Sequence, residues 1–227
     1  MNKKQKIDLG REQLATLNRP RYSYSLRAKL FFGIMDCLAG KEINLSKAKL
    51  IEILASIPYR RWEIRQYVRL TRKYNKQKLV EKAWKIMEWG REAQDNEYQH
   101  LLVINEKMKQ DGIKNAWYLF APIPSFLVFC YKMMTWFMSL INIRRSFLFN
   151  AEFEDHAEHE YAQLVKEHPE WENQTVSGKQ VKEYGSFTCW ADVFRRIGLD
   201  ERDHMNTSFA FGSKPEGVVI YKGMPES

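Results

Sequence analysis

After Arg21, apolar residues recur at alternating steps of three and four along nearly the whole chain, the period of helices with one buried face. The pattern predicts six helical stretches. The first, Tyr22 to Leu38, is apolar with Arg27 and Lys29 on it and ends at Gly40. The second, Leu45 to Leu70, is entered through Asn44 or Ser46 and bent at Pro58. The third, Lys78 to Met108, is closed by Gly112, and the fourth, Trp117 to Ile143, is very apolar. The fifth, Arg144 to Glu167, stops at His168-Pro169, and the sixth runs from Phe187 to Phe211. The polar segment Glu170 to Tyr184 reads as the loop excursion. This gives an all-α chain with a basic arm over 1–21, one helical domain over 22–211 and a tail over 212–227.

The buried faces carry the chemistry. On the third stretch the seam is Leu79, Ala83, Ile86, Gly90, Ala93, Glu97, His100 and Ile104, and on the sixth it is Phe187, Ala191, Phe194, Ile197, Glu201, His204, Ser208 and Phe211. On the second it is Leu45, Ala48, Glu52, Ala55, Tyr59 and Trp62. On the fifth it is Phe147, Ala151, Glu154, Glu158 or Ala157, Tyr161 and Val165. Residues i and i+3 share a helical face, so Glu97/His100 and Glu201/His204 each aim a carboxylate and an imidazole at one point. Two such Glu-x-x-His pairs with two single glutamates form the ligand set of a di-iron site in a ferritin-like four-helix bundle. A lone Glu-x-x-His is common and ordinarily lies on a solvated face. Two copies on seams, with two further seam glutamates, put ionised carboxylates where burial demands compensation. Carboxylate and imidazole without thiolate suit iron or manganese. Glu154 and Glu158 remain alternatives on the fifth stretch. Glu88, Glu92, Glu106, Glu152 and Glu160 are expected at the solvent, and His156 and His159 fall off the Glu-x-x-His pattern, beside the ligands or at the surface. Tyr161, two turns beyond Glu154, is placed to pass an electron and a proton, although a seam tyrosine is ordinarily structural.

Composition narrows the class. The chain of 227 residues, 44% hydrophobic and 14% aromatic, fits one folded domain. A formal charge of +8 suits nucleic acid, an anionic membrane surface or plain solubility, but the aromatics are not interleaved with Lys and Arg as in a nucleic-acid module. Cys37, Cys130 and Cys189 are an odd number with no C-x-x-C pairing, so buried thiols in a reducing compartment are expected. The first 21 residues are basic without an apolar core and do not read as a secretory signal. The uncharged run from Ala116 to Tyr131 carries Pro122, Pro124 and Ser125 and is followed by Lys132, too short and interrupted for a membrane span. Two readings stand, a buried core helix and an interfacial one; Trp117, Tyr118, Tyr131 and Trp136 suit a headgroup boundary, which favours this stretch and Tyr22 to Leu38 as two additional interfacial helices of a monotopic membrane protein.

Four ordered segments resemble the alternative oxidase family, more closely its plastid terminal oxidase branch. Ile51-Glu52-Ile-Leu-Ala-Ser-Ile-Pro58-Tyr59 resembles the family's Leu-Glu-Thr-x-Ala-x-Val-Pro segment, with the tyrosine of the plastid type. Asn96-Glu97-Tyr-Gln-His100 resembles its Asn-Glu-x-x-His segment, and Glu154-Asp-His-Ala-Glu-His-Glu-Tyr161 its Glu-Ser-His-Ala-Tyr-Glu-Thr-Tyr segment. Trp190-Ala-Asp-Val-Phe-Arg-Arg-Ile and Asp200-Glu201-Arg-Asp-His204 resemble its last motif. The resemblance covers roughly Asp36 to Met205. It implies two iron ions on Glu52, Glu97, His100, Glu154, Glu201 and His204, a redox-active Tyr161, and Asn96 and Asp200 orienting ligands by hydrogen bonds. It also implies oxidation of a membrane quinol (plastoquinol or ubiquinol) coupled to reduction of dioxygen to water, without proton pumping. Lys47, Ile51, His156 and Ala157 stand at the positions implied for quinol. Lys47 replaces a usual arginine and Glu160 a small hydroxyl residue. The implied location is the surface of a thylakoid or bacterial cytoplasmic membrane, as a monomer or homodimer. The alternatives are another membrane-associated di-iron oxygenase or hydroxylase acting on a quinone or lipid, and a non-catalytic membrane-coating protein.

Overall fold

Short polar residues set the helix starts. Asp8 accepts from the Arg11 amide at 3.0 Å, Ser25 from the Ala28 amide at 3.3 Å, and Asn44 from the Lys47 amide at 3.0 Å. These caps open α1 (Leu9–Asn18), α2 (Leu26–Ala39) and α3 (Leu45–Lys73) in a computed structural model that describes residues 7–225. There follow α4 (Gln77–Gln110), α5 (Ile123–Ile141), α6 (Ile143–Glu167), α7 (Lys179–Tyr184) and α8 (Trp190–Phe211). Gly40 and Gly112 follow α2 and α4 at φ +87° and +67°, positive values that glycine adopts without a Cβ clash. Helix makes up 77% of the structure, and among the described residues no strand forms beyond one isolated bridge, Thr175 to Cys189. The all-α class therefore holds, consistent with a helical bundle.

The structure differs from expectation in three stretches. Residues 9–18 of the expected arm form α1, while residues 1–6 lie outside the described residues. The expected loop over 170–184 contains a short 3-10 turn, Pro169–Glu172, and α7, because Trp171 and Val181 each bury a side chain there. The fourth stretch begins its helix only at Ile123. That helix is 19 residues long and 22% buried, so by length and composition it is apolar enough to cross a membrane, and Lys132 does not disqualify it.

The chain divides into two compact units. The first comprises residues 7–48 and 147–225 of the described chain. Here α1 lies on α8 through a lattice of charged groups. Arg202 donates to Glu12 Oε2 at 2.5 Å, Thr16 Oγ1 at 2.8 Å and Glu158 Oε1 at 2.8 Å, and Gln13 bridges Arg195 to the Ala162 carbonyl. Between α6 and α8, a Cβ on Gly198 would stand 3.2 Å from Tyr161 Cβ, and Tyr161 stacks on Phe194. Phe194 in turn stacks on Trp171 at 4.6 Å. The tail is bound too: the Asn206 amide exchanges hydrogen bonds with both backbone groups of Val219, and Tyr221 donates to Asp203.

The second unit, residues 49–146, joins α3 to α4 and α5. Trp62 and Trp89 stack at 5.3 Å with Tyr59 edge-on to both, and Trp62 donates to Ser146 Oγ at 3.0 Å. Gly90 lets α4 approach α3 closely, since a Cβ there would meet the Tyr59 carbonyl oxygen at 3.1 Å. Lys49, buried, donates to Asn105 and Asn115. On the surface, Cys37 and Cys130 are exposed and only Cys189 is buried, against the expectation of three buried thiols, because α2 and α5 keep apolar faces outward.

The Gly90 contact is against backbone, which cannot swing aside. Gly90→Val is expected to destabilise by about 1–3 kcal/mol through overpacking. Gly33→Ala, on α2 with nothing within 4 Å of the new methyl, is expected to stabilise by about 0.5–1 kcal/mol. Thermal or urea unfolding of the two variants checks the opposite signs.

Candidate metal centre

The four seams are buried where the chemistry lies. Glu52 on α3, Glu97 and His100 on α4, Glu154 on α6 and Glu201 and His204 on α8 all lack appreciable solvent exposure. They sit among small neighbours on their own helices: Ala48 and Ala55, Gly90 and Ala93, Ala151 and Ala157, Ala191 and Gly198. Of the predicted seam positions on these helices, only Leu79, Phe187 and Phe211, at the ends, are partly exposed.

On α3 and α4, His100 Nδ1 stands 3.2 Å from Glu52 Oε2 and 3.7 Å from Glu97 Oε2. On α8, His204 Nδ1 stands 3.6 Å from Glu201 Oε2, the i, i+3 pairing read from the spacing. On α6, Asn150 Nδ2 donates to Glu154 Oε1 at 2.8 Å and to Ser208 Oγ at 3.1 Å, which fixes the carboxylate from one turn away. Glu52, Glu97, His100 and Glu201 offer ligand atoms within 4.8 Å of one another, and so do Glu97, Glu154, Glu201 and His204. Glu97 and Glu201 belong to both groups. Carboxylates this close and this dry cannot all remain ionised without a cation among them. The donors are oxygen and imidazole nitrogen without thiolate, a set that hard or borderline metals accept. This buried Glu/His cluster can therefore hold a metal ion.

Glu154 and Glu158 have different partners. Glu154 offers an oxygen to the second group. Glu158 points to other company: Thr16 Oγ1 at 2.6 Å, Arg19 Nη2 at 2.7 Å and Arg202 Nε at 2.8 Å. Asp155 is held by Arg19 at 2.6 Å and by Tyr24 OH at 2.7 Å. The segment from Arg19 to Ser25 thus stitches along α6, with Ser25 ending on Glu152. Nothing in the spacing signalled this; the one available clue was Arg202, a charge inside an otherwise core-facing stretch.

Glu160 corrects the expectation of a solvent-facing acid. It is buried, accepts from Arg21 Nη2 at 2.8 Å and lies 3.6 Å from Lys47 Nζ. Lys47, also buried, donates to Asp36 at 2.9 Å and to the Lys41 carbonyl at 3.0 Å. The two departures noted in the sequence are therefore partners in one ion-pair chain. His156 is buried beside them. Arg21 Nη1 approaches its Nδ1 at 2.6 Å, and since a guanidinium can only donate, Nδ1 accepts and the ring proton sits on Nε2. Phe32 stacks on the imidazole at 4.1 Å. Burial, then the charges of Arg21 and Lys47, lower its pKa to about 3. His159 is buried as well, with Nδ1 on the Asp155 carbonyl and Nε2 on the Arg19 carbonyl.

The remaining candidates are spread more widely. Ile51 and Ala157 are buried on α3 and α6, and Tyr161 is buried on α6. Asn96 is half-buried beside Glu97. Asp200 accepts from Arg196 Nε at 2.9 Å and from Tyr184. No protein-family model matches the chain, and no curated protein matches it.

Glu158 and Glu154 should part company under mutation. Glu158→Ala takes one of two carboxylate partners from Arg202 and from Arg19, which keep Glu12 and Asp155, and is expected to cost about 1–3 kcal/mol, with metal content of the folded fraction unchanged. Glu154→Ala is expected to lose metal while leaving the metal-free protein at least as stable. Denaturant titration with metal analysis reads both. The depressed His156 pKa also has a sign. The unfolded ring binds a proton below about pH 6.5 while the folded ring stays neutral, so stability is full above that pH and falls toward pH 3. Between pH 7 and 4.5 this group contributes a loss of about 2–3 kcal/mol, which His156→Phe should remove from the pH dependence of the urea midpoint.

Proposed function

We propose that the protein is a di-iron quinol oxidase of the alternative oxidase type, nearest the plastid plastoquinol oxidases, with a ferritin-like bundle resting on one bilayer surface. The observation that carries this reading is the pair of donor groups overlapping at Glu97 and Glu201. Glu52, Glu97, His100, Glu154, Glu201 and His204 would hold a pair of ions, since between them they supply four carboxylates and two imidazoles. Two iron(II) ions bring four positive charges to four carboxylates and leave the core neutral. Bound there, the iron pair would supply reversible one-electron chemistry and the capacity to reduce dioxygen.

The chain's own residues do the rest. Asn150, tied to Ser208, holds Glu154 in one orientation. Tyr161 is confined by Gly198 and Phe194 on the same side of α6 as Glu154, two turns away, where a phenol can give up a hydrogen atom without contact with water. His156 presents its Nε2 proton as a fixed donor, suited to a hydroquinone oxygen, and Lys47, Ile51 and Ala157 complete the residues assigned to the headgroup. Two quinols would deliver four electrons and four protons to one dioxygen, giving two quinones and two waters. Support for the bilayer comes from exposed apolar residues on two helices: Leu26, Leu30 and Ile34 on α2, and Phe126, Phe129, Phe137, Leu140 and Ile141 on α5.

Purified protein loaded with iron(II) is expected to consume dioxygen when given a short-chain plastoquinol, with only quinone and water as products. Tyr161→Phe should retain iron and lose at least ~100-fold in rate, the scale of one proton-transfer group. Isotopic oxygen in an organic product would instead identify an oxygenase, and a sample that binds no iron would remove the basis of both.

A further inference from the structure

The net charge of the chain is not spread over its surface. Residues 60–85, the end of α3 and the start of α4, carry ten basic side chains and two acidic ones, which accounts for the whole formal excess of +8. Outside this hairpin the acids and bases cancel. Eight of the ten cations are exposed, Arg69, Arg72, Lys73, Lys76 and Lys78 among them. None of the eight has a carboxylate at ion-pair distance among the described residues. The two acids are occupied: Glu63 accepts from Arg91 at 2.6 Å and Glu81 from Gln77 at 3.1 Å. A solubilising surface intersperses both signs; this one concentrates a single sign.

Its neighbours identify the partner. Tyr67, Tyr74 and Trp84 project from the same hairpin and are at least half exposed. Arg61, Arg65, Arg69 and Arg72 follow at steps of four and three, one stripe along α3. The first of them lies over the Trp136 ring of α5, 5.6 Å from its centroid, so the stripe starts at the apolar helix. Just beyond α5, Arg144 and Arg145 are exposed. Cations and amphipathic aromatics bordering an apolar helix match the headgroup layer of a bilayer whose phosphates carry net negative charge. We infer that the α3–α4 hairpin is a binding surface for anionic phospholipid headgroups, which makes attachment depend on lipid charge and ionic strength. This rests on the reading of the protein as a bilayer-surface protein.

Co-sedimentation with vesicles of phosphatidylcholine alone, or with about 30% phosphatidylglycerol, tests it on the full chain. Wild type is expected to bind the anionic vesicles at least ~10-fold more tightly, with most of the difference lost at high salt. A variant with Arg69, Arg72, Lys73, Lys76 and Lys78 each changed to Gln, its helix content verified by circular dichroism, should lose that preference and keep its binding to phosphatidylcholine. Equal binding of wild type to both vesicles, or a variant that keeps the preference, overturns the inference while the bilayer reading stands. Wild type that binds neither vesicle overturns both. Capture by heparin or RNA without any binding to vesicles assigns the surface to another polyanion, and a variant altered only in oligomeric state assigns it to a second copy of the chain; either outcome overturns the inference.

Discussion

Carboxylates crowded into a dry interior dominate this structure. Each ionised glutamate removed from water loses several kcal/mol of hydration, and bringing more of them together adds repulsion. Only protonation or a cation relieves that pressure. The helices around Glu52, Glu97, Glu154 and Glu201 are built as though a cation is meant to be there: small residues one turn away leave room, and imidazoles stand at i+3 from two of the acids. An apolar seam with the same small residues would pack more tightly and be more stable, so the acids answer to an ion that they can hold and not to the fold.

Helix α6 shows the other solution to the same problem. Asp155, Glu158 and Glu160 are buried on it beside Glu154, and each is answered by a cation of the chain itself: Arg19, Arg202, Arg21 and Lys47. Guanidinium groups match carboxylates in shape and keep their charge when buried, which is why arginine supplies most of these contacts. The two solutions differ in consequence. Acids paired to arginine are fixed in charge and serve the architecture, whereas an acid answered by an exchangeable ion can serve chemistry.

The seam residues were legible because burial imposes a period, and Glu97, His100, Glu201 and His204 stand where that period demands an apolar side chain. The all-α class followed from the same pattern, as did the stops at Gly40, Gly112 and His168-Pro169. What the pattern could not show was pairing across long separations. Glu160 looked solvated because a periodicity on one helix cannot know that Arg21 will return to cover it. Helix α1 was hidden for the same reason: its burial depends on Arg202 and Glu158, far along the chain, while its own sequence is polar. Helix α5 shows a limit of run-length reasoning, since one lysine interrupted the count but not the helix.

The clasp between α1 and α8 constrains how the fold can be completed. Glu12 and Arg202 are separated by 190 residues. During synthesis, α1 must therefore wait through nearly the entire translation of the domain before its counterpart emerges. Closing so wide a loop is slow relative to forming local helices. Until it closes, Arg19 can already meet Asp155 and Glu158 on the nascent α6, but Glu12 has no guanidinium from α8. The contact of α1 with α8 is therefore among the last of the fold to form.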